Sequence, residues 1–124
     1  MSNNPNRFSV KARVKSFVFA WAGIIRFFRT EHNAQIHLAA TIIVSGLCLY
    51  FKTTKSETLA IVFVIALVWI TEMINTSIEK AMDFVSPQRD LRIKTIKDLS
   101  AGAVLVAAIV SVIVGGIIFI PKIF

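Results

Sequence analysis

Four polar side chains follow directly on a long apolar stretch, in the segment TEMINTSIEKAMD of residues 71–83. They are Glu72, Asn75, Glu79 and Asp83, and the segment before them, TLAIVFVIALVWI, contains no charge. At about 100° per residue, the last three lie at roughly −60°, −20° and +20° around a helix from Glu72. The four side chains therefore share one helical face over roughly 16 Å of its axis. Such a face could bind hard cations and could accept a proton.

Three further charged residues could meet this face at one membrane boundary. Glu31 directly precedes one apolar segment, while Lys97 and Asp98 open another and follow Asp83 after a short loop. Clustered carboxylates repel one another unless cations neutralise them, and hard oxygen ligands suit Mg²⁺, often shared with the phosphates of a nucleotide. A deep carboxylate such as Glu72 could act as a general base. A lysine beside the phosphates would offset the charge that develops during phosphoryl transfer.

Structural roles for these residues stay open. Asn75 could form a hydrogen bond between two helices. Asp83 and Asp98 could cap or end helices at the surface. Glu79 and Lys97 could form a structural salt bridge.

Glu72 is harder to explain structurally, because a carboxylate inside the membrane costs a few kcal/mol unless it is paired, protonated or functional. His37, in the first apolar segment, is interpreted as an interhelical residue rather than a ligand. Lys80 lies roughly 80° from Glu72 around the helix and is predicted to extend to the membrane interface. No Walker-type glycine loop, zinc motif or kinase glycine loop occurs in the sequence.

The elements that must position these residues are membrane helices. The 124 residues are 56% hydrophobic and 17% charged, whereas soluble domains are about a quarter charged. This composition predicts a single all-α membrane domain over residues 1–124. A bilayer core needs roughly 20 mostly apolar helical residues, and three segments qualify as transmembrane helices: 34–51, 58–78 and 100–120.

Residues 8–30 have a different pattern. Apolar residues recur at steps of three and four from Val10 to Phe28, and lysines and arginines lie off that stripe. The pattern predicts a basic amphipathic surface helix lying in the membrane interface, with a soluble cap on the bundle as the alternative.

The distribution of positive charge predicts the orientation. Six lysines and arginines precede the first span and four lie in residues 84–99, against two in residues 52–57 and one after the third span. The N-terminus and the acidic end of the second span are therefore expected on the cytoplasmic side of the plasma membrane, and no cleaved signal peptide is expected. The net charge of +7 is attributed to an anionic membrane surface rather than to nucleic acid.

Small residues stand four apart on the third span, at Ala103, Ala107, Ser111 and Gly115. Such a face lets helices approach closely within lipid. Three spans alone would leave several polar groups poorly shielded, so we expect a homo-oligomer.

The polar motifs resemble those of a known family. ExxNTxIExxxD (72–83) and KDxxAGAVLV (97–106), together with FxxAxxGIxxFFRTEHNAQIHLAA (17–40), closely resemble the signature of the prokaryotic diacylglycerol kinases, a family of small integral-membrane lipid kinases. The resemblance covers nearly the whole chain. It implies a homotrimer of three transmembrane helices and a surface helix per subunit, with composite active sites near the cytoplasmic boundary.

The resemblance also implies a reaction and residue roles. ATP with Mg²⁺ would donate its γ-phosphate to the hydroxyl of a membrane lipid, with Glu72 as the general base and with Glu31 and Glu79 as metal ligands. The remaining matched residues would bind or orient the nucleotide and its metals: Asn75, Asp83, Gln88, Asp90, Lys97 and Asp98.

The sequence departs from the family pattern at two positions, one relevant to the lipid and one to the phosphates. Phe19 stands where diacylglycerol-specific members have an aromatic hydroxyl, and the basic phosphate contact aligns near Ala12, which leaves Arg13 or Lys15 as neighbouring candidates. The stretches TEHNAQIH and IIFIPKIF are similar to the branch that phosphorylates undecaprenol. Undecaprenol and diacylglycerol both stay open as substrates.

Two other classes of function compete with a lipid kinase. A small ion or proton transporter or channel could use Glu72 and Asn75 along its path, since intramembrane carboxylates commonly mark such routes. A structural subunit could pair its acids with the bases of a partner.

Overall fold

The computed structural model describes residues 7–124 as four helices joined by short connections. Helices α1 (Val10–Thr30), α2 (His32–Phe51), α3 (Lys55–Val85) and α4 (Leu91–Ile123) follow one another along the chain, and residues 7–124 contain no strand. Helices α2, α3 and α4 are each long and apolar enough to cross a membrane. The protein is therefore an all-helical membrane protein, with α3 and α4 continuing beyond the predicted spans 58–78 and 100–120.

Only one residue separates α1 from α2. Glu31 has an extended backbone (φ −99°, ψ 121°), and its N–H donates to the carbonyl of Phe27 at the end of α1. The same residue precedes the first turn of α2. Glu31 therefore lies at the corner between the two helices.

The connection between α2 and α3 is a tight turn with a capping box. Lys52 adopts the left-handed conformation that commonly ends a helix, with φ 51° and ψ 57°. Thr54 then begins α3: its side chain accepts from the N–H of Glu57, while the Glu57 side chain accepts from the N–H of Thr54. This arrangement satisfies two N–H groups that the first turn would otherwise leave unpaired.

Helices α3 and α4 form the most extensive helix pair and run antiparallel. Lys97 near the start of α4 contacts Asp83 near the end of α3, and Lys122 near the end of α4 contacts Glu57 at the start of α3. The buried residues of α3 follow a helical spacing: Ile61, Val64, Val68, Glu72 and Asn75. Glu72 and Asn75 thus continue the buried apolar stripe, while Glu79 and Asp83 of the same polar face are exposed.

The small residues of α4 do not all make close contacts. Ala107 is 2% exposed, but a Cβ added to Gly115 would meet nothing within 4 Å. Within the chain, close approach therefore depends on Ala107 rather than on the whole predicted face.

The first half of α1 packs against none of the described residues. Its predicted apolar stripe is exposed at Val14, Phe17 and Trp21, and burial begins only at Phe27.

Candidate active site

Glu72 is buried between α2 and α3. It is 3% exposed, and both of its carboxylate oxygens meet side chains of α2. The Nδ2 of Asn33 donates to Oε1 at 3.1 Å, and the Nε2 of His37 lies 3.5 Å from Oε2. The burial cost of this acid is therefore offset by two polar contacts across the helix interface.

Asn75 lies one turn further along α3. Its side chain is 7% exposed, and its Oδ1 is buried without a hydrogen-bond donor among residues 7–124. Buried acceptors are nearly always paired, so this oxygen is available to a ligand or a further chain. The interhelical hydrogen bond considered from the sequence is not formed by this atom within the described chain.

Glu31 and Lys80 meet beside this face. The Nζ of Lys80 lies 3.4 Å from Oε1 of Glu31, so Lys80 contacts a predicted metal ligand. Its side chain is nevertheless 68% exposed, as expected for a residue at the membrane interface. Glu79, the second predicted metal ligand, is exposed. Residues 7–124 hold no group of three or more His, Cys, Asp or Glu side chains that could hold a metal.

The expected contact across the α3–α4 loop is confirmed. The Nζ of Lys97 lies 2.5 Å from Oδ1 of Asp83, and Lys94 pairs with Asp98 at the same distance one helical turn away. Lys97 thus pairs with Asp83 rather than with Glu79.

A cavity of about 530 Å³ lies under this loop. Its lining includes five of the seven residues predicted to bind nucleotide: Asp83, Gln88, Asp90, Lys97 and Asp98. The volume falls within the range of about 300–1,000 Å³ that small-molecule sites occupy. Asn75 and Lys15 do not line it, and Lys15 lies on the exposed half of α1.

Asp90 is the N-cap of α4 at the edge of this cavity. Its Oδ1 accepts from the backbone N–H of Arg92 at 2.8 Å, and its Oδ2 accepts from the Arg92 guanidinium at 2.9 Å. The Arg92 guanidinium, and then the Arg92 backbone N–H, hold the pKa of the Asp90 carboxyl below its ordinary value. The start of α4 is therefore tied to an ionised carboxylate at neutral pH.

A second cavity, of about 290 Å³, extends away from Glu72 into the apolar part of the bundle. His37, Thr41 and Trp69 line its polar end, and Ile61 and Phe119 lie toward the other end of α3 and α4. It is about twice the size of an engineered cavity that holds benzene, near 150 Å³. This space suits hydrocarbon close to the Glu72 carboxylate.

Asn33 contacts Glu72, and the sequence analysis did not single it out. The sequence carried a signal for it, because Asn33, His37 and Thr41 stand four apart in a mostly apolar helix. Residues at this spacing share one helical face, and the face meets Glu72 and Trp69 of α3.

The fold and the site define a helical membrane protein with a charged, partly enclosed site at one end of its bundle. The chain belongs to the prokaryotic diacylglycerol kinase family, whose model matches residues 18–119. It is 35% identical to an undecaprenol kinase of Bacillus subtilis over 98% of this chain and 99% of the relative. It is also 38% identical to a diacylglycerol kinase of Synechocystis over 86% of this chain, and spans 61% of that protein's length.

The protein is therefore a membrane-embedded lipid kinase. Family membership confirms the resemblance read from the motifs at residues 17–40, 72–83 and 97–106. Family membership also favours a kinase over the two alternatives, a transporter and a structural subunit.

Proposed function

We propose that the protein transfers the γ-phosphoryl group of ATP to the hydroxyl of undecaprenol, with diacylglycerol as the alternative acceptor. Two observations support undecaprenol. The undecaprenol kinase of Bacillus subtilis matches over nearly the full length of both chains, and the cavity that His37 lines is bordered almost entirely by apolar groups. The ester groups of a diacylglycerol would be poorly paired in such surroundings.

The observation that carries the proposal is the buried carboxylate of Glu72, which lies 3.5 Å from His37, a residue that lines the polar end of that cavity. In the proposed reaction the lipid hydroxyl oxygen attacks the γ-phosphorus of ATP. The new O–P bond forms as the bond to the β-phosphate bridging oxygen breaks, and ADP leaves with that oxygen. Glu72 accepts the hydroxyl proton, and removing a general base of this kind costs about 10²–10⁴-fold in rate.

The cavity under the α3–α4 loop is the proposed nucleotide site. Lys97 supplies positive charge beside the phosphates, where charge develops as the phosphoryl group moves. Asp83, Gln88, Asp90 and Asp98 line the same cavity.

Glu31 and Glu79 are the proposed ligands of Mg²⁺. Mg²⁺ in phosphoryl-transfer sites is usually bound by one or two carboxylates and by the substrate phosphates. Each carboxylate alone would meet that minimum donor set, and Glu31 would have to leave Lys80, whose Nζ lies 3.4 Å from its Oε1. The ion would neutralise phosphate charge when bound.

We also propose that the active unit is a homotrimer with its sites on the cytoplasmic side of the plasma membrane and α1 in the membrane interface. The buried, unpaired Oδ1 of Asn75 and the unpacked first half of α1 support a site completed by a second copy and by lipid. The excess of lysine and arginine before α2 and between α3 and α4 supports the orientation.

A kinase assay on two lipids tests the proposal. Purified protein in mixed micelles receives Mg²⁺, radiolabelled ATP and either undecaprenol or diacylglycerol. We expect labelled lipid phosphate, with a higher kcat/KM for undecaprenol. A preference for diacylglycerol would reassign the acceptor, and no labelled product with either lipid would contradict the proposed reaction.

The Glu72→Gln variant tests the base. We expect kcat to fall by about 10²–10⁴-fold, because the amide has the same shape but cannot accept the proton. Glu57→Gln is the matched control, since the same change falls at the other end of the same helix and should leave kcat unchanged. Wild-type turnover in Glu72→Gln would overturn the assignment.

A further inference from the structure

Three polar residues of α2 contact two residues of α3. Asn33, His37 and Thr41 are one helical turn apart and lie on one face. Asn33 and His37 contact the two oxygens of Glu72. The Thr41 hydroxyl accepts from Nε1 of Trp69 at 3.1 Å and donates to the His37 carbonyl at 2.7 Å.

The two helices are therefore joined at Glu72 and at the turn that precedes it. Trp69 is three residues before Glu72, so the Trp69–Thr41 hydrogen bond fixes the register of α3 against α2. With that register fixed, Asn33 and His37 meet Oε1 and Oε2 from the same side, leaving lone pairs of the carboxylate for another partner.

We infer that Asn33 and His37 are positioning residues that hold the Glu72 carboxylate in the orientation needed to receive the proton of the lipid hydroxyl. The inference rests on the proposed function of Glu72. Asn33 does so through a hydrogen bond from its neutral amide to the carboxylate, and His37 through a contact that is long at 3.5 Å. Catalytic hydrogen bonds are often long before substrate binds and shorten in the reacting complex.

The alternative is a structural role, in which both contacts only offset the free-energy cost of burying Glu72. A purely structural pair would affect how much protein folds but not the turnover of each folded molecule. A positioning pair instead changes kcat, because a misdirected carboxylate loses alignment with the hydroxyl. The position of His37 in the lining of the apolar cavity places its ring beside the space proposed for the lipid chain.

The test compares three variants of α2 in the same kinase assay, with activity normalised to folded protein. For His37→Leu and Asn33→Leu we expect kcat to fall by about 10- to 100-fold, the range for losing a hydrogen bond to a charged group. The KM for ATP should change by less than about twofold, because a kcat effect of this kind concerns only the reacting state. His37→Gln retains an N–H donor and should recover most of the lost kcat.

Ser45→Leu is the matched control. Ser45 lies on α2, is exposed, and its hydroxyl bonds only to the Thr41 carbonyl, so kcat should be unchanged. The inference is overturned if His37→Leu and Asn33→Leu keep wild-type kcat, or if His37→Gln is as impaired as His37→Leu.

The same experiment separates this inference from the proposed role of Glu72. If Glu72→Gln retains turnover, the general base has been misassigned. If Glu72→Gln is inactive while the α2 variants turn over normally, the base stands and the positioning role fails. A drop in yield or melting temperature with normal kcat would assign these α2 residues to stability alone.

Discussion

Asp83 and Lys97 lie together in the proposed nucleotide site. They form an ion pair across the loop, with side chains that are 66% and 35% exposed. Exposed pairs of this kind contribute little stability, so a nucleotide can displace one partner at low cost. The charges of the site are therefore held close together without being fixed in a rigid structure.

The capping role of Asp90 predicts that the stability of the first turn of α4 depends on pH. Because the pKa of Asp90 is lowered in the folded protein, its contribution is complete above the ordinary aspartate pKa of about 3.9 and is lost as the pH falls through the lower folded value. We expect amide protection in the first turn of α4 to fall in that acidic range, measured by hydrogen exchange without nucleotide.

Two variants of Asp90 give the controls. Asp90→Asn should keep the protection and lose its pH dependence, because asparagine is a neutral cap of similar strength. Asp90→Ala should lose protection at every pH. Equal pH dependence in wild type and Asp90→Asn would contradict the role of the carboxylate.

At the scale of the elements, α3 and α4 are longer than the membrane requires. Their 31 and 33 residues correspond to roughly 46 and 50 Å of helix, against a hydrocarbon core of about 30 Å. The excess includes the last turns of α3 and the first turns of α4, which line the loop cavity. The same two helices thus cross the membrane and extend charged residues towards water.

The capping box of α3 should support stability without affecting catalysis. Replacing Thr54 by Ala removes the side-chain acceptor of the Glu57 N–H and should lower the free energy of unfolding by about 1 kcal/mol. Kinase activity should be unchanged, because Thr54 lies 18 residues and roughly 27 Å of helix before Glu72. Unfolding in detergent measures the effect, and Ser56→Ala in the same turn is the control. Equal stability of the two variants would contradict the cap.

At the scale of the whole molecule, the two loops of the spanning bundle lie at opposite ends. The turn between α2 and α3 is close to the Glu57–Lys122 pair, and the loop between α3 and α4 is close to the Asp83–Lys97 pair. The two loops should therefore be accessible from opposite sides of the membrane, with the α3–α4 loop on the side that supplies ATP.

Cysteine labelling tests this orientation. Cys48 is the single cysteine of the chain, so a Cys48→Ser background accepts one new thiol at a time. With a membrane-impermeant maleimide, we expect Ser56→Cys to be labelled in intact cells and Arg89→Cys only after the membrane is opened. Labelling in the reverse order would place the site outside the cytoplasm, where ATP is not supplied. Each variant needs measurable kinase activity as its control for folding.

The sequence by itself determined the helices, the family and the residue types of the site. Long apolar runs predict membrane helices because the bilayer requires their backbone groups to be paired within each segment. A spacing of three and four residues places Glu72, Asn75, Glu79 and Asp83 on one face, because the period of a helix is local. The motif spacings then identified the family.

Only the tertiary structure decided which side chains meet. Asn33 reaches Glu72, and Lys80 reaches Glu31, because α2 packs against α3 in a particular register. That register follows from contacts between residues far apart in sequence, such as Trp69 with Thr41, and no local periodicity specifies it. The sequence predicted His37 as an interhelical residue, and its contact with Glu72 bears this out, but only the packing shows that its partner is the buried carboxylate.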